Sequence, residues 1–381
     1  MSEQESEFRA ESRTELLEQT VTGTNDEKLR PDLGVEPGED PDKAGRRGVG
    51  RPGAGRRGKR RRDEYQMVPD ATFTSYYGRP VVKASPWEAD IPAYLFLGGL
   101  AAGSSLLGAG AELTGRPVLR KVGRIGALSA ITVSFAALVH DLGRPMRFVN
   151  MLRVAKPTSP MSVGTWILSV YGPLAGAAGA AELVAPFVNL APRRLRSPLQ
   201  FLVKAGTPAA LGAAVIGPAV ASYTGVLLAD TATPTWHEAR KHLPFVFVGS
   251  AAAASGGLGM LLSPRSEAGP ARRLAVGGAA LELAVAHHME SSIGIAAEPL
   301  HLGTPGKLMR ASKTLTAAGA IGSLVAGRSR LAATLSGLAL LAGSACTRFG
   351  VFEAGQASAR DPKYTVVPQR ERIARGESAG A

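Results

Sequence analysis

His140 and Asp141 stand side by side where the uncharged apolar run of residues 125–139 stops and a basic, proline-punctuated loop begins. An imidazole and a carboxylate at the mouth of an apolar helix are costly to place, and such groups mark sites of chemistry at a membrane boundary. Tyr94 lies one turn into an earlier apolar run, and Tyr223, in SYTGVLLAD, lies about two turns before Asp230. His287 and His288, followed by Glu290, close a later run. Tyr and His offer hydrogen-bond donors, and a His-Asp pair exchanges protons near neutral pH. That combination suits a quinone headgroup, whose carbonyls need donors, whose tail needs lipid and whose redox change moves protons. His140 and Asp141 are the candidate catalytic pair, and Tyr94, Tyr223, His140, Asp141 and His287 the candidate quinone contacts. Each taken singly has a plainer reading: a Tyr at a span end is an interfacial anchor, and a lone His a satisfied core or loop residue. The recurrence on four helices is what favours the ligand.

A second polar group falls near the other ends of these runs: Glu112, Glu182 and Lys204, with Glu282 nearer the middle of its run. A packing ion pair of a glutamate with Lys204 is the simple reading, and a proton path through the four is the sharper one.

These residues need helices to hold them at matching depth. Residues 91–110, 161–181, 205–229 and 243–264 carry no charge, and about 20 apolar residues suffice to cross a hydrocarbon core. None shows the polar stripe of a soluble amphipathic helix. The mean hydropathy of the whole chain, +0.05, is diluted by polar ends. The expectation is an all-α polytopic membrane protein of eight spans: Ile91–Leu113, Ile125–Leu142, Ser162–Phe187, Pro198–Ala229 (broken by Pro208 and Pro218), Pro244–Leu262, Arg272–Ser292, Ala311–Gly327 and Leu331–Phe349. Residues 1–64, acidic then basic, are expected to be a disordered tail, 65–90 an ordered pre-membrane segment with Tyr76, Tyr77 and Trp87 near the interface, and 350–381 a polar tail. Small residues crowd the runs, as in GGLAAGSSLLGAGA and SAAAASGGLG, which lets helix backbones approach closely in lipid.

An even number of spans puts both termini on one side, the face that also carries His140. The basic stretch 43–62, with ten Lys and Arg and no interleaved aromatics, reads as an arm on anionic lipid rather than a nucleic-acid binder. That arm and the missing export signal favour a cytoplasmic tail face in the plasma membrane. The loop count points the other way, with twelve basic residues opposite and eight on the tail face. A single cysteine, Cys346, rules out an iron–sulfur cluster, a Cys-based zinc site and a c-type haem held by this chain. A haem b needs two facing histidines, and no second pair exists for a second haem, so none is expected. The competing class is a secondary transporter with a midplane substrate site, suggested by the prolines of the fourth run.

The segments YLFLGGLAAGS (94–104), HDLGRPMRF (140–148), LRVAKPTSPMSVGTW (152–166) and SYTGVLL (222–228), in this order, resemble the NrfD/PsrC family of membrane subunits of polysulfide reductase-like molybdoenzymes. The resemblance spans about residues 73–350. It implies an eight-helix, haem-free bundle binding a menaquinone-type quinone, a four-cluster iron–sulfur partner and a molybdopterin catalytic subunit beyond it. It places Tyr223 at the family's quinone-bonding tyrosine, and Asp141 at an acidic position ending the second helix. Tyr94 stands where some members have histidine, and Ile91 where some have asparagine. The loop 143–160 would face the partner, with Arg144, Arg147, Arg153 and Lys156 as docking charges. The substrate lies with the catalytic partner, and a formate dehydrogenase type fits a cytoplasmic one.

Overall fold

The computed structural model describes residues 79–376 apart from Pro145. The tail of residues 1–64, with Tyr76 and Tyr77, falls outside them. The described residues are helical, without a strand. Eight helices are long: α1 (Asp90–Leu113), α2 (Pro117–Asp141), α3 (Pro160–Val184), α4 (Arg193–Ala229), α5 (Leu243–Leu262), α6 (Gly269–Ser292), α7 (Gly303–Val325) and α8 (Arg330–Arg360).

Local chemistry sets several of their starts. Ser159 accepts from the Ser162 N–H, with Pro160 opening α3, and Ser329 accepts from the Ala332 N–H to start α8. α2 is capped from elsewhere in the chain: Glu267 accepts from the Val118 and Leu119 N–H groups at 2.8 and 2.9 Å. Its carboxylate thus meets the two donors that the helix cannot satisfy.

Sequential helices pair as α1–α2, α3–α4, α5–α6 and α7–α8 hairpins, and α1 also packs on α4 and α5. α1 and α5 are the central rods, with 72% and 67% of their apolar windows buried against 33% for α2 and α3. Small residues permit the crossings. A Cβ on Gly123 would lie 2.5 Å from the Gly108 Cα, and one on Gly278 would lie 2.5 Å from the Ala253 N. Only hydrogen fits there, as expected of helices that associate by close packing rather than by the hydrophobic effect. On the tail face a plug of aromatics closes the bundle. Trp236 is fully buried, donates to the Val351 carbonyl at 2.8 Å and stacks with Trp87 and Phe352.

Six helices, α1 to α5 and α8, are long and apolar enough to cross a membrane. α6 and α7 are long enough but too polar: Arg272, Arg273, Glu282, His287, His288 and Glu290 fall on α6, and Lys307, Arg310 and Lys313 on α7. Several boundaries move from the sequence expectation, α7 among them, which begins at Gly303, two turns before Ala311. α2 begins at Pro117, two turns before Ile125, so Arg120 and Arg124 belong to the helix rather than to a loop. α4 runs unbroken through Pro198, Pro208 and Pro218, which membrane helices tolerate where other groups can satisfy the freed carbonyls. α8 continues three turns past Phe349, burying Val351, Phe352, Ala354 and Gly355, and a further helix, Lys363–Ala374, follows where a polar tail is expected.

Candidate functional site

Beside α2 and α3 lies a cavity of about 520 Å³. α1 contributes Tyr94, α2 contributes Ile131 and Phe135, the following loop Phe148 and Leu152, and α3 the small row Gly172, Pro173 and Gly176. The walls are mostly apolar, and Phe135, 41% exposed, carries them to the outer surface of the bundle. The volume lies in the range typical of small-molecule sites. Four hydroxyl-bearing residues line it, and three of their hydroxyls are already engaged: Thr132 donates to the Leu128 carbonyl, Ser134 to that of Tyr94 and Ser169 to that of Thr165. Tyr94, 4% exposed, has no hydrogen-bond partner for its hydroxyl among the described residues. It is the donor that the cavity leaves free.

Tyr223 does not line the cavity. Its ring packs on Gly164 of α3, so closely that a Cβ there would meet the ring at 2.2 Å. Gly164, Leu168, Gly172 and Gly176 form one i+4 row on α3, and the last three line the cavity. Tyr223 therefore sits at the tail-face end of the same row. It is 7% exposed, and its hydroxyl is buried without a partner among the described residues. A buried polar atom left unsatisfied calls for a specific reason.

His140 and Asp141 end α2 as expected, but the partner of His140 is not its neighbour. His140 Nδ1 lies 2.7 Å from the Asp90 carboxylate at the start of α1. Asp141 beside it is half-buried. The His140 side chain is 81% exposed, so this pair faces the medium at the tail face rather than the cavity. The sequence holds a signal for Asp90: the turn at 114–116 forces α1 and α2 antiparallel, which brings the start of one to the end of the other.

His287 stands apart from this site. On α6 Ala286 and Met289 turn inward, and the helical period leaves His287 and His288 exposed. His288 packs edge-on against His242, with ring centroids 5.1 Å apart. Burial, then the His288 and Lys241 charges, holds His242 below the ordinary histidine range. Of the four helices expected from sequence to converge, α6 drops out, and of the named residues only Tyr94 reaches the cavity, with Tyr223 at the end of the α3 row and the His140–Asp90 pair outside it. Among the described residues no group of three His, Cys, Asp or Glu could hold a metal ion.

The four residues read as a proton path separate into unlike places. Glu112 and Glu182 meet Arg120 and Arg124 of α2. Arg124 lies 3.0 Å from Glu182 and 3.4 Å from Glu112, Arg120 lies 3.1 Å from Glu112 and 2.9 Å from Glu182, and Thr207 bridges Arg124 and Glu112. Lys204 is not their partner, because it faces outward and is exposed. Arg124 is only 6% exposed, so Arg124→Met is expected to cost about 3 kcal/mol. That is the low end for breaking a buried pair, because Arg120 remains beside both acids. Chemical denaturation in detergent would measure it, and a change near zero would mean the network adds nothing to stability.

Glu282 lies instead between α6 and α8, 2% exposed, and accepts from the Thr347 hydroxyl at 2.5 Å. Beside it is Arg348, fully buried on α8 with its guanidinium 3.7 Å over the Phe247 ring. A lone arginine inside the apolar run of residues 337–352 was a readable signal.

The loop after α2 presents Arg144, Arg147, Arg153 and Lys156, all exposed, together with exposed Met146, Val149 and Val154. None of the four bases has an acidic partner among the described residues.

Residues 81–269, about half of the chain and all of α1 to α5, match the family model described as polysulphide reductase, NrfD. Over that stretch the chain belongs to the NrfD family. No curated protein matches the chain. Membership implies a multi-pass membrane subunit of a polysulphide reductase or molybdopterin reductase type of complex. Members of the family interact with quinones and typically assemble with iron–sulfur and molybdopterin subunits.

Proposed function

We propose that this chain is the quinone-binding membrane subunit of a molybdopterin oxidoreductase, and that a menaquinone-type quinone enters sideways between α2 and α3. The observation that carries the reading is the 520 Å³ apolar cavity whose one uncommitted hydroxyl is Tyr94. Its size admits a ring and the first part of a prenyl tail, and its outer wall is exposed apolar surface. Quinone, when bound, takes up or releases two electrons and two protons. Tyr94 would donate to a ring carbonyl. Tyr223, at the tail-face end of the α3 row, keeps a second hydroxyl in reserve for the other end of the headgroup. His140, held by Asp90 and open to the medium, exchanges protons at the tail face, and Asp141 beside it keeps the local charge negative.

Electrons travel to or from an iron–sulfur partner seated on the loop after α2, where Arg144, Arg147, Arg153 and Lys156 offer charge and Met146 and Val149 apolar contact. A molybdopterin subunit lies beyond it. All eight long helices cross the plasma membrane in this reading, with both chain ends on the cytoplasmic side. α6 and α7 cross because each packs along a helix apolar enough to span by itself, α6 on α5 and α7 on α8. Among the acids considered for a proton path, Glu282 has a fully buried carboxylate oxygen without a hydrogen-bond partner among the described residues, so it is the one retained. The transporter reading loses its motive, since α4 is continuous.

A cavity-filling substitution tests the site directly. A Cβ on Gly172 would meet nothing within 4 Å, so Gly172→Leu fills the cavity without strain and removes a helix-interior glycine. The expected result is unchanged thermal stability with quinone affinity lowered at least tenfold, read by displacement of a fluorescent quinone analogue. Full affinity in this variant would exclude the cavity as the quinone site.

A further inference from the structure

On the face opposite the tails, α6 leans on α5 and α7 on α8, and the two touch each other much less. Between them opens a second cavity of about 430 Å³, lined by Gly269, Arg272, Arg273, Val276, Ser323 and Leu324. The guanidinium of Arg272 lies against Gly327 in the α7–α8 turn, where a Cβ would meet its Nη1. Neither the Arg272 nor the Arg273 guanidinium has a hydrogen bond or an acidic partner among the described residues. The nearby acid, Glu267, is spent on the N–H groups that open α2. Three more arginines fall in and beside the α5–α6 and α7–α8 turns. Arg265 donates to the Arg328 carbonyl, and Arg330 donates to the carbonyls of Met260 and Ser263. Below the arginines the groove continues as bare hydrocarbon, with Leu324 69% and Ile321 68% exposed.

We infer that this cleft is a binding site for an anionic phospholipid, with the phosphate on Arg272 and Arg273 and an acyl chain along Val276, Ile321 and Leu324. Unpaired guanidinium groups match phosphate oxygens in forked geometry. Basic pockets between membrane helices are where anionic headgroups are held. A free phosphate would satisfy the arginines but leave the apolar groove uncovered, and a zwitterionic lipid would bring its own cation against them. The site also answers a need of the fold. α6 and α7 are the two long helices too polar to cross a membrane on composition alone, and a bound headgroup would neutralise two of the α6 charges at the membrane surface. The inference rests on α6 and α7 crossing the bilayer and is independent of quinone binding.

The purified, delipidated full chain, titrated in native mass spectrometry with cardiolipin, with phosphatidylcholine and with inorganic phosphate, provides the test. Cardiolipin is expected to bind at least tenfold more tightly than phosphatidylcholine, and Arg272→Gln with Arg273→Gln is expected to abolish that difference. Arg193→Gln with Arg194→Gln, at the start of α4 on the same face, should leave the difference intact. Arg272→Lys with Arg273→Lys keeps the charge and is expected to retain most of the preference, which separates loss of the site from loss of the fold. Quinone-analogue binding should be unchanged in all three variants. Equal binding of both lipids, an undiminished preference in the Gln variant, or phosphate competing away the lipid at equal concentration would overturn the proposal.

Discussion

Replacing Tyr223 by Phe will leave this protein as stable as before, or more stable by about 1–3 kcal/mol, while it lowers quinone turnover about tenfold. The two effects have opposite signs because they have different causes. The Tyr223 hydroxyl is buried without a partner among the described residues, in a side chain 7% exposed. A polar group in that position costs its own desolvation and returns nothing, so deleting it relieves the cost. The ring itself stays wedged on Gly164 of α3, so no cavity is created and packing is kept. A bound carbonyl that loses its donor, by contrast, is left unsatisfied in an apolar site, which is worth roughly a factor of ten or more in rate. Thermal melting in detergent and quinol-dependent dye reduction by the assembled complex measure the two arms. A drop of several degrees in Tm would mean that the hydroxyl has a structural partner, and the case for Tyr223 as a ligand would then fail. Unchanged turnover beside unchanged stability would remove Tyr223 from the quinone site while leaving Tyr94 in it.

The long helices were legible because an uncharged apolar run states its own length. The starts at Asp90, Pro160 and Leu243 all fall within a few residues of the expected spans. The differences have two causes: a charge reads in sequence as the end of a helix, and a proline reads as a break, as in α4. Arg120 and Arg124 looked like loop residues, yet they lie on α2 because Glu112 and Glu182 on α1 and α3 neutralise them. Composition along one strand of sequence cannot reveal a partner on another helix. The site was legible in kind and only partly in membership. Tyr94 could be placed by depth alone, whereas His287 shares that depth and points elsewhere, since a residue's azimuth on a helix depends on which neighbours cover it. The cavity was not legible at all. It exists because Gly172 and Gly176 leave room beside α2, and a small-residue row reads the same whether it seats a helix or a ligand.

The largest loss of stability is expected at Arg348, and its pattern across variants identifies what Glu282 does. Arg348 is fully buried, donates to the Phe247 carbonyl at 2.7 Å and stacks on the Phe247 ring, yet its Nε and Nη1 have no partner. Glu282 likewise leaves one carboxylate oxygen unpartnered, and the two groups interact through space without closing an ion pair within 4.0 Å. Each is the other's main source of opposite charge in a setting with little other compensation. Arg348→Met alone is expected to cost about 3–5 kcal/mol, because it strands Glu282 as an uncompensated buried charge. Glu282→Gln alone should cost less, because Arg348 keeps its carbonyl and its ring. The pair Glu282→Leu with Arg348→Met should be more stable than Arg348→Met by itself, since a well-filled apolar core commonly equals or exceeds a buried pair. Denaturant unfolding of the four proteins in one detergent supplies the double-mutant cycle. If the double variant is no better than the single, the two groups are not coupled. Arg348 would then act only on Phe247, and Glu282 would be a neutral acid hydrogen-bonded to Thr347 and available to carry a proton.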